Sequence, residues 1–297
     1  LALLKPLAQR GFNCSVGVIT HALNTGLGQS GLGAIANSGD KTGHTVGQGA
    51  HDHLTLVLVA VAALAIVFHL ARLDQLHAGH KYRQLSRTAQ PRFDAIVPLL
   101  VQAAAKQARP TDTLLRLLDF LENISRRSSY LALLHEHPQA LEQLAALMSQ
   151  STWVAGYLMQ HPILLDELLS AQLMQARNDW PKLAAELSDG LANARGDTEA
   201  QMDVLRHFQH AQVFRLAVQD LAGLWTIEAL SDELSALADT ILAAAIPCVW
   251  ADTPKTHTDT PQIGIIGYGK LGGKELGYTS DLDLVYVYED PHPDAPD

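Results

Sequence analysis

The stretch Pro261–Asp290, PQIGIIGYGKLGGKELGYTSDLDLVYVYED, decides how this chain is read. It predicts a strand, a glycine turn, a short helical segment and a second strand that carries two aspartates. Ile263, Ile265 and Ile266 form a short apolar run that Gly267, Gly269, Gly272 and Gly273 interrupt. That leaves Lys274 to Thr279 for a helix before a strand opening near Asp281. Residues two apart in a strand share a face, so Asp281 and Asp283 are expected to point the same way. Leu282, Leu284, Val285 and Val287 are expected to supply the buried side.

Two neighbouring carboxylates repel unless a cation sits between them. Magnesium suits that place, because it is a hard cation that prefers carboxylate oxygens, water and substrate phosphates. A glycine turn lets backbone N–H groups approach a polyphosphate, and the start of a following helix adds a favourable dipole. A phosphate cradle beside an aspartate pair points to metal-assisted nucleotidyl transfer. Two other glycine motifs compete. Gly267-Tyr-Gly269-Lys-Leu-Gly272 matches the dinucleotide fingerprint, but that motif opens a full crossover helix, for which there is no room before Asp281. A phosphate loop fails as well, because Gly272 is followed by Gly273 instead of Lys, and Lys274 by Glu275 instead of Ser or Thr. A plain glycine turn with a surface aspartate pair stays open on these residues alone.

Gly267-Tyr-Gly-Lys-Leu-Gly-Gly273, Glu275-Leu-Gly277 and Ser280-Asp-Leu-Asp-Leu284 together resemble the active-site signature of the glutamine synthetase adenylyltransferases. Those are long bifunctional chains of the polymerase-beta-like nucleotidyltransferase superfamily, with one domain that attaches AMP to a tyrosine of glutamine synthetase and another that removes it. The resemblance runs from about Leu85 onward, and the Gly-Tyr-Gly-Lys and Leu-Gly-Tyr wording is similar to the adenylylating copy. It implies that Asp281 and Asp283 are catalytic and hold magnesium. It also implies that Gly269, Gly272 and Gly273 cradle the phosphates of ATP, with Lys270 or Lys274 as supporting charge and Ser280 beside them. The implied partners are glutamine synthetase and a PII-type nitrogen-signalling protein, in the cytoplasm. The superfamily's third carboxylate lies on a later strand. After Tyr288 only Glu289, Asp290, Asp294 and Asp297 follow, so the polypeptide alone is expected to be inactive.

The chain has 297 residues, room for two domains, and a formal net charge of −10. That charge disfavours a nucleic-acid backbone as main partner. Two cysteines, Cys14 and Cys248, make neither a disulfide framework nor a zinc quartet, which fits a reducing compartment. Residues 1–84 differ from the rest and are assigned no function. The first eighty lack Glu, Trp and Tyr, yet hold seven of the fourteen histidines and eleven of the twenty-one glycines. The segment reads as an out-of-frame translation or as a lineage-specific extension. Gly26-Leu-Gly28-Gln-Ser-Gly31 lacks the strand and acid of a dinucleotide unit. His44, His51 and His53 read as solvated loop residues. Leu54 to Ala71 is apolar but sits at the lower limit for a membrane span, and no membrane is expected.

Residues 85–256 read as a helical domain. Leu114, Leu117, Leu118 and Leu121 fall at i, i+3, i+4, i+7, as do Leu141, Leu144, Ala145 and Met148, and Leu230, Leu234, Leu237 and Ile241. Pro110, Pro138, Pro162 and Pro181 sit where helices would begin. Tyr130…His137-Pro and Tyr157…His161-Pro echo one another as a pair of stacked helices. Arg126 and Arg127 read as a solvated pair, and His207 and His210 as metal ligands only with a third partner. Arg215 and Asp220 read as structural or interdomain polar residues, and Ala251 to Thr260 as a linker. The expected fold is thus mainly α, a helical bundle followed by the truncated start of an α+β nucleotidyltransferase domain at 257–297. The adenylyl-removing half of the same enzyme and a non-catalytic helical docking module are the alternatives, and a nicotinamide-dependent dehydrogenase is the reading the dinucleotide motif would require.

Overall fold

The computed structural model describes residues 71–170, 173–174, 178–253 and 260–288. Cys14, the first glycine motif, the loop histidines, most of the Leu54–Ala71 stretch, most of the linker and the acids from Glu289 onward lie outside them. The described chain is mainly α, with two compact units dividing between Ala155 and Gly156. That division falls inside the helical region, within the helix Thr152–Gln160.

In the first unit four helices follow in close order: α1 Ala89–Ala105, α2 Pro110–Ile124, α3 Ser128–Glu136 and α4 Pro138–Gln150. The leucine stripes become its core, because a 3.6-residue period brings them to one side of each helix. Leu117, Leu118, Leu121, Leu144 and Met148 are buried together with Phe93, Ile96 and Leu100 of α1. Pro110 and Pro138 open α2 and α4, where the missing N–H has no intrahelical partner to lose. Arg126 donates to Gln84 Oε1 at 2.6 Å, and Arg127 lies over the Tyr130 ring. Both arginines are exposed and serve local packing.

The second unit follows the end of helix α5, Thr152–Gln160, with a 3₁₀ helix, Pro162–Leu169. It then carries α6 Trp180–Asn193, α7 Thr198–Leu221 and α8 Ile227–Asp252. Pro162 therefore opens a 3₁₀ segment, whereas its echo Pro138 opens an α-helix. The residue before each proline is non-helical, His161 at φ −124° and His137 at φ −119°, because proline disfavours helical geometry in its predecessor. Side-chain caps start the three long helices: Asp179 accepts from the Lys182 amide, Asp197 from Ala200 and Thr226 from Ala229. Helix α7 stops at a Schellman turn. Gly223, at φ 73°, donates to Asp220 O at 2.8 Å and Leu224 donates to Gln219 O at 3.0 Å.

Residues Ala211 to Gln219 of α7 are all buried, polar ones included. Arg215 answers its burial with Glu167 of the 3₁₀ helix, Nη2 to Oε2 3.5 Å. Gln219 donates to Leu173 O and accepts from the Trp225 indole. Helix α8 is long and apolar enough to cross a membrane. Its first half instead buries Leu230, Leu234, Leu237 and Ala238 in the unit. Ile241, expected in the same stripe, is only half-buried, and nothing in α8 beyond Ala238 is fully buried.

Two strands close the described chain: β1 Ile263–Tyr268 and β2 Asp283–Tyr288, paired antiparallel. Tyr268 faces Asp283, Gly267 faces Leu284 and Ile266 faces Val285. Between them lie one helical turn, Gly269–Gly272, and an irregular segment.

Candidate functional site

The site is built on the hairpin and on the segment that joins its strands. Strand β2 starts at Asp283, so Asp281 precedes the strand and is not one of its paired residues. Both carboxylates are exposed. The expected division of β2 into an aspartate face and an apolar face needs correction. Alternation puts Val285 and Val287 on the same face as Asp283, along with their partners Ile266 and Gly264. Val285 and Val287 are each 45% exposed and Leu282 is 38% exposed, so only Leu284 is half-buried. The described sheet has two strands, and nothing in the described residues covers that face.

The helical expectation for Lys274 to Thr279 also needs correction. The single turn lies earlier, at Gly269–Gly272, and Lys274 to Thr279 is turn and coil. Four residues sum to almost no macrodipole, so the helix contributes little charge stabilisation to an anion here. Backbone closeness, not helix length, shapes the loop. Gly269 has φ 54°, the left-handed region. A Cβ on it would lie 2.2 Å from Asp283 Oδ2, and one on Gly272 would lie 2.5 Å from Gly267 O. The bare backbone at 269 is what lets the Asp283 carboxylate lie against the turn.

The turn ends as α7 does, in a Schellman pattern. Lys274 donates to Leu271 O at 3.1 Å and Glu275 to Lys270 O at 2.7 Å. Here, however, the left-handed position belongs to Lys274, at φ 54°. The amide of Gly273 donates to Gly269 O at 3.0 Å. Gly273 therefore does not offer a free N–H, and a Cβ on it would meet Gly269 O at 3.4 Å and the Glu275 side chain at 3.7 Å. Lys270 and Lys274 are both exposed, and Lys274 Nζ lies 3.7 Å from Asp232 Oδ1 of α8. Ser280 closes a tight turn with Gly277: its hydroxyl accepts from the Gly277 amide at 3.0 Å and its own amide donates to Gly277 O at 3.1 Å.

Sequence reading missed what holds the connecting segment. Leu276 is buried against Leu216, Leu230, Leu234 and Ala238, with Leu271 and Tyr278 packed beside it. Ser231 Oγ donates to Leu276 O at 3.2 Å. The Tyr278 hydroxyl donates to Asp220 Oδ2 at 2.9 Å. Burial first, then this carboxylate, pushes the Tyr278 phenol well above its usual range. A cleft of ≈ 360 Å³ lies between β1, the turn and α8, lined among others by Asp239, Leu242, Ile265, Gly267 and Lys274.

Among the described residues no three His, Cys, Asp or Glu side chains converge as a metal site. Two exposed carboxylates, one seated where a Cβ would otherwise stand, nonetheless fit a cation that takes its remaining ligands from water and phosphate. His210 has other partners. Its Nδ1 is 2.7 Å from the Tyr157 hydroxyl, and its ring stacks on His161 with centroids 3.8 Å apart.

The family model described as glutamate-ammonia ligase adenylyltransferase matches residues 141–296. Three relatives carry the name bifunctional glutamine synthetase adenylyltransferase/adenylyl-removing enzyme. The one from Neisseria meningitidis serogroup B is 74% identical over 227 residues, which cover 76% of this chain and 25% of the relative. Those from Chromobacterium violaceum and Nitrosomonas europaea are 57% and 48% identical, each again covering 76% of this chain and 25% of the relative. The chain thus spans about a quarter of the length of the curated relatives it matches.

Proposed function

Since the chain belongs to the glutamate-ammonia ligase adenylyltransferase family, we propose that it contributes to transfer of AMP from ATP to a tyrosine of glutamine synthetase. In that reaction the tyrosine oxygen bonds to the α-phosphorus, the bond from that phosphorus to the bridging oxygen breaks, and pyrophosphate departs. The tyrosine hydroxyl loses its proton to solvent water. The observation that carries the proposal is the seating of the Asp283 carboxylate on the side-chain-free backbone of Gly269.

In this reading Asp281 and Asp283 hold magnesium, which would supply charge neutralisation at the triphosphate and at the departing pyrophosphate. Gly269 is bare to admit the Asp283 carboxylate and Gly272 to admit the Gly267 carbonyl, and the turn they shape would lie beside the phosphates. Gly273 closes the turn through its bond to Gly269 O, Lys270 and Lys274 offer positive charge at the rim, and Ser280 holds the turn that leads into Asp281. The division into helical residues 85–256 and a catalytic segment at 257–297 belongs to the same proposal. So do the cytoplasmic setting and a PII-type protein as regulatory partner.

The direction of transfer is the finer part. The Gly267-Tyr-Gly269-Lys270 and Leu276-Gly277-Tyr278 wording supports the adenylylating reaction. The removing reaction is the second reading, since the relatives are named for both activities. ATP binding measured with and without magnesium tests the site: binding that needs magnesium and disappears in Asp281→Asn and Asp283→Asn is expected. Binding indifferent to both would remove the nucleotidyl-transfer reading. Phosphate-dependent release of ADP from modified glutamine synthetase, without AMP transfer, would assign the reverse direction.

A further inference from the structure

We propose that Asp220 and Tyr278 form a positioning clamp that sets the glycine turn and the aspartate pair at their working separation. The inference rests on the nucleotidyl-transfer reading of the site. Seven residues, Lys274 to Ser280, separate the turn from Asp281, and they have no helix or strand of their own. A segment without regular structure holds a defined path only where it is tied to something rigid. Leu276 to Tyr278 make that tie.

Three different bonds meet within those three residues. The Leu276 side chain is buried among Leu216, Leu230 and Leu234, which fixes depth but not rotation. The Leu276 carbonyl accepts from Ser231 Oγ of α8. The Tyr278 hydroxyl reaches Asp220 of α7, 58 residues back in the chain. A nondirectional apolar contact and two directional bonds to two helices together fix position and orientation. Immediately after Tyr278, the Gly277–Ser280 turn redirects the chain into Asp281. The aspartate pair is thereby referenced to α7 and α8 as well as to β1.

Burial of the ring alone would need neither the hydroxyl nor Asp220. Phenylalanine would fill the same space, so the hydrogen bond supplies direction. Neither residue reaches the reacting atoms in this scheme, and both act through the placement of Asp281 and Asp283.

The test uses Mn²⁺ as probe, titrated by electron paramagnetic resonance in the presence of ATP, on the wild type and on Tyr278→Phe, Asp220→Ala and Asp220→Asn. Amide hydrogen exchange and the thermal midpoint are followed in parallel. Misplacement of a site by about 1 Å can cost on the order of a hundredfold in function, so Tyr278→Phe and Asp220→Ala are expected to weaken Mn²⁺ binding about tenfold or more. Asp220→Asn, which keeps an acceptor, should weaken it less. The double variant should be no worse than either single one, because the two residues share one bond. Exchange should quicken within 273–283 and not across α7. Unchanged Mn²⁺ affinity in Tyr278→Phe overturns the clamp. If the wild type binds no Mn²⁺, the nucleotidyl-transfer reading fails, and the clamp is decided by exchange alone. Faster exchange confined to 273–283 upholds it, and unchanged exchange, or loss spread over α7, overturns it.

Discussion

Asp283 Oδ2 occupies the space that a side chain on Gly269 would need: a Cβ built there would be 2.2 Å from it. The glycine turn and the acidic strand are therefore one structure. The turn's bare backbone is the floor on which the carboxylate rests, and the strand pairing that sets Tyr268 opposite Asp283 brings the two together.

Gly269→Ala should separate stability from function. The left-handed φ of 54° costs a residue with Cβ roughly 1–2 kcal/mol. The new methyl can be accommodated only by moving Asp283, so magnesium-dependent ATP binding should fall by far more than stability does. Gly277→Ala is the control, because a Cβ there meets Ser280 Oγ at an ordinary 3.7 Å. Equilibrium unfolding and ATP binding measured on both variants check the contrast, and equal losses of binding would contradict it.

The two lysines can be told apart by backbone strain. Lys274 holds a left-handed position that Gly223 fills at the end of α7. Lys274→Gly should stabilise the fold by about 1 kcal/mol, since the exposed pair with Asp232 adds little. Should ATP affinity drop in Lys274→Gly while Lys270→Ala keeps it, Lys274 is the supporting charge; the opposite pattern would assign Lys270.

Acid should weaken the second unit through its stacked histidines. Burial lowers the pKa of His161 below 6.5, and burial together with the charges of His161 and His207 lowers that of His210. Tyr157, whose phenol burial pushes up to about 12, remains neutral beside them. The folded state thus favours neutral rings. As pH falls below 6.5 the unfolded chain takes up protons that the folded chain refuses, so stability declines until the folded pKa values are passed. Thermal midpoints between pH 7.5 and pH 5 should show that decline, and His161→Gln or His210→Gln should flatten it.

Leu276→Ala removes the one buried side chain among the described residues of the hairpin region. Core truncations of this kind cost about 2–5 kcal/mol. Denaturant unfolding should report a loss in that range, and a loss well below it would mean that the anchoring contact is easily replaced.

Local signals carried much of this architecture. The stripes at 114–121 and 141–148 are buried as read, and Pro110 and Pro138 stand at helix starts, because helical period and proline geometry act within a few residues. The glycine turn was likewise legible, since it demands φ and closeness that only particular residues supply. Three things were not. The helical turn lies within the glycines instead of after them, because closeness to Gly267 and a Schellman closure compete with propensity there. Val285 and Val287 lie exposed on the aspartate face, because burial depends on what covers a sheet and not on its composition. Tyr278 meets Asp220, and His161 meets His210, only through packing. Such contacts join residues 58 and 49 positions apart, and no periodicity reaches across that distance. Pattern in the chain sets which elements form and where they turn; the closing of one element on another sets which of their side chains meet.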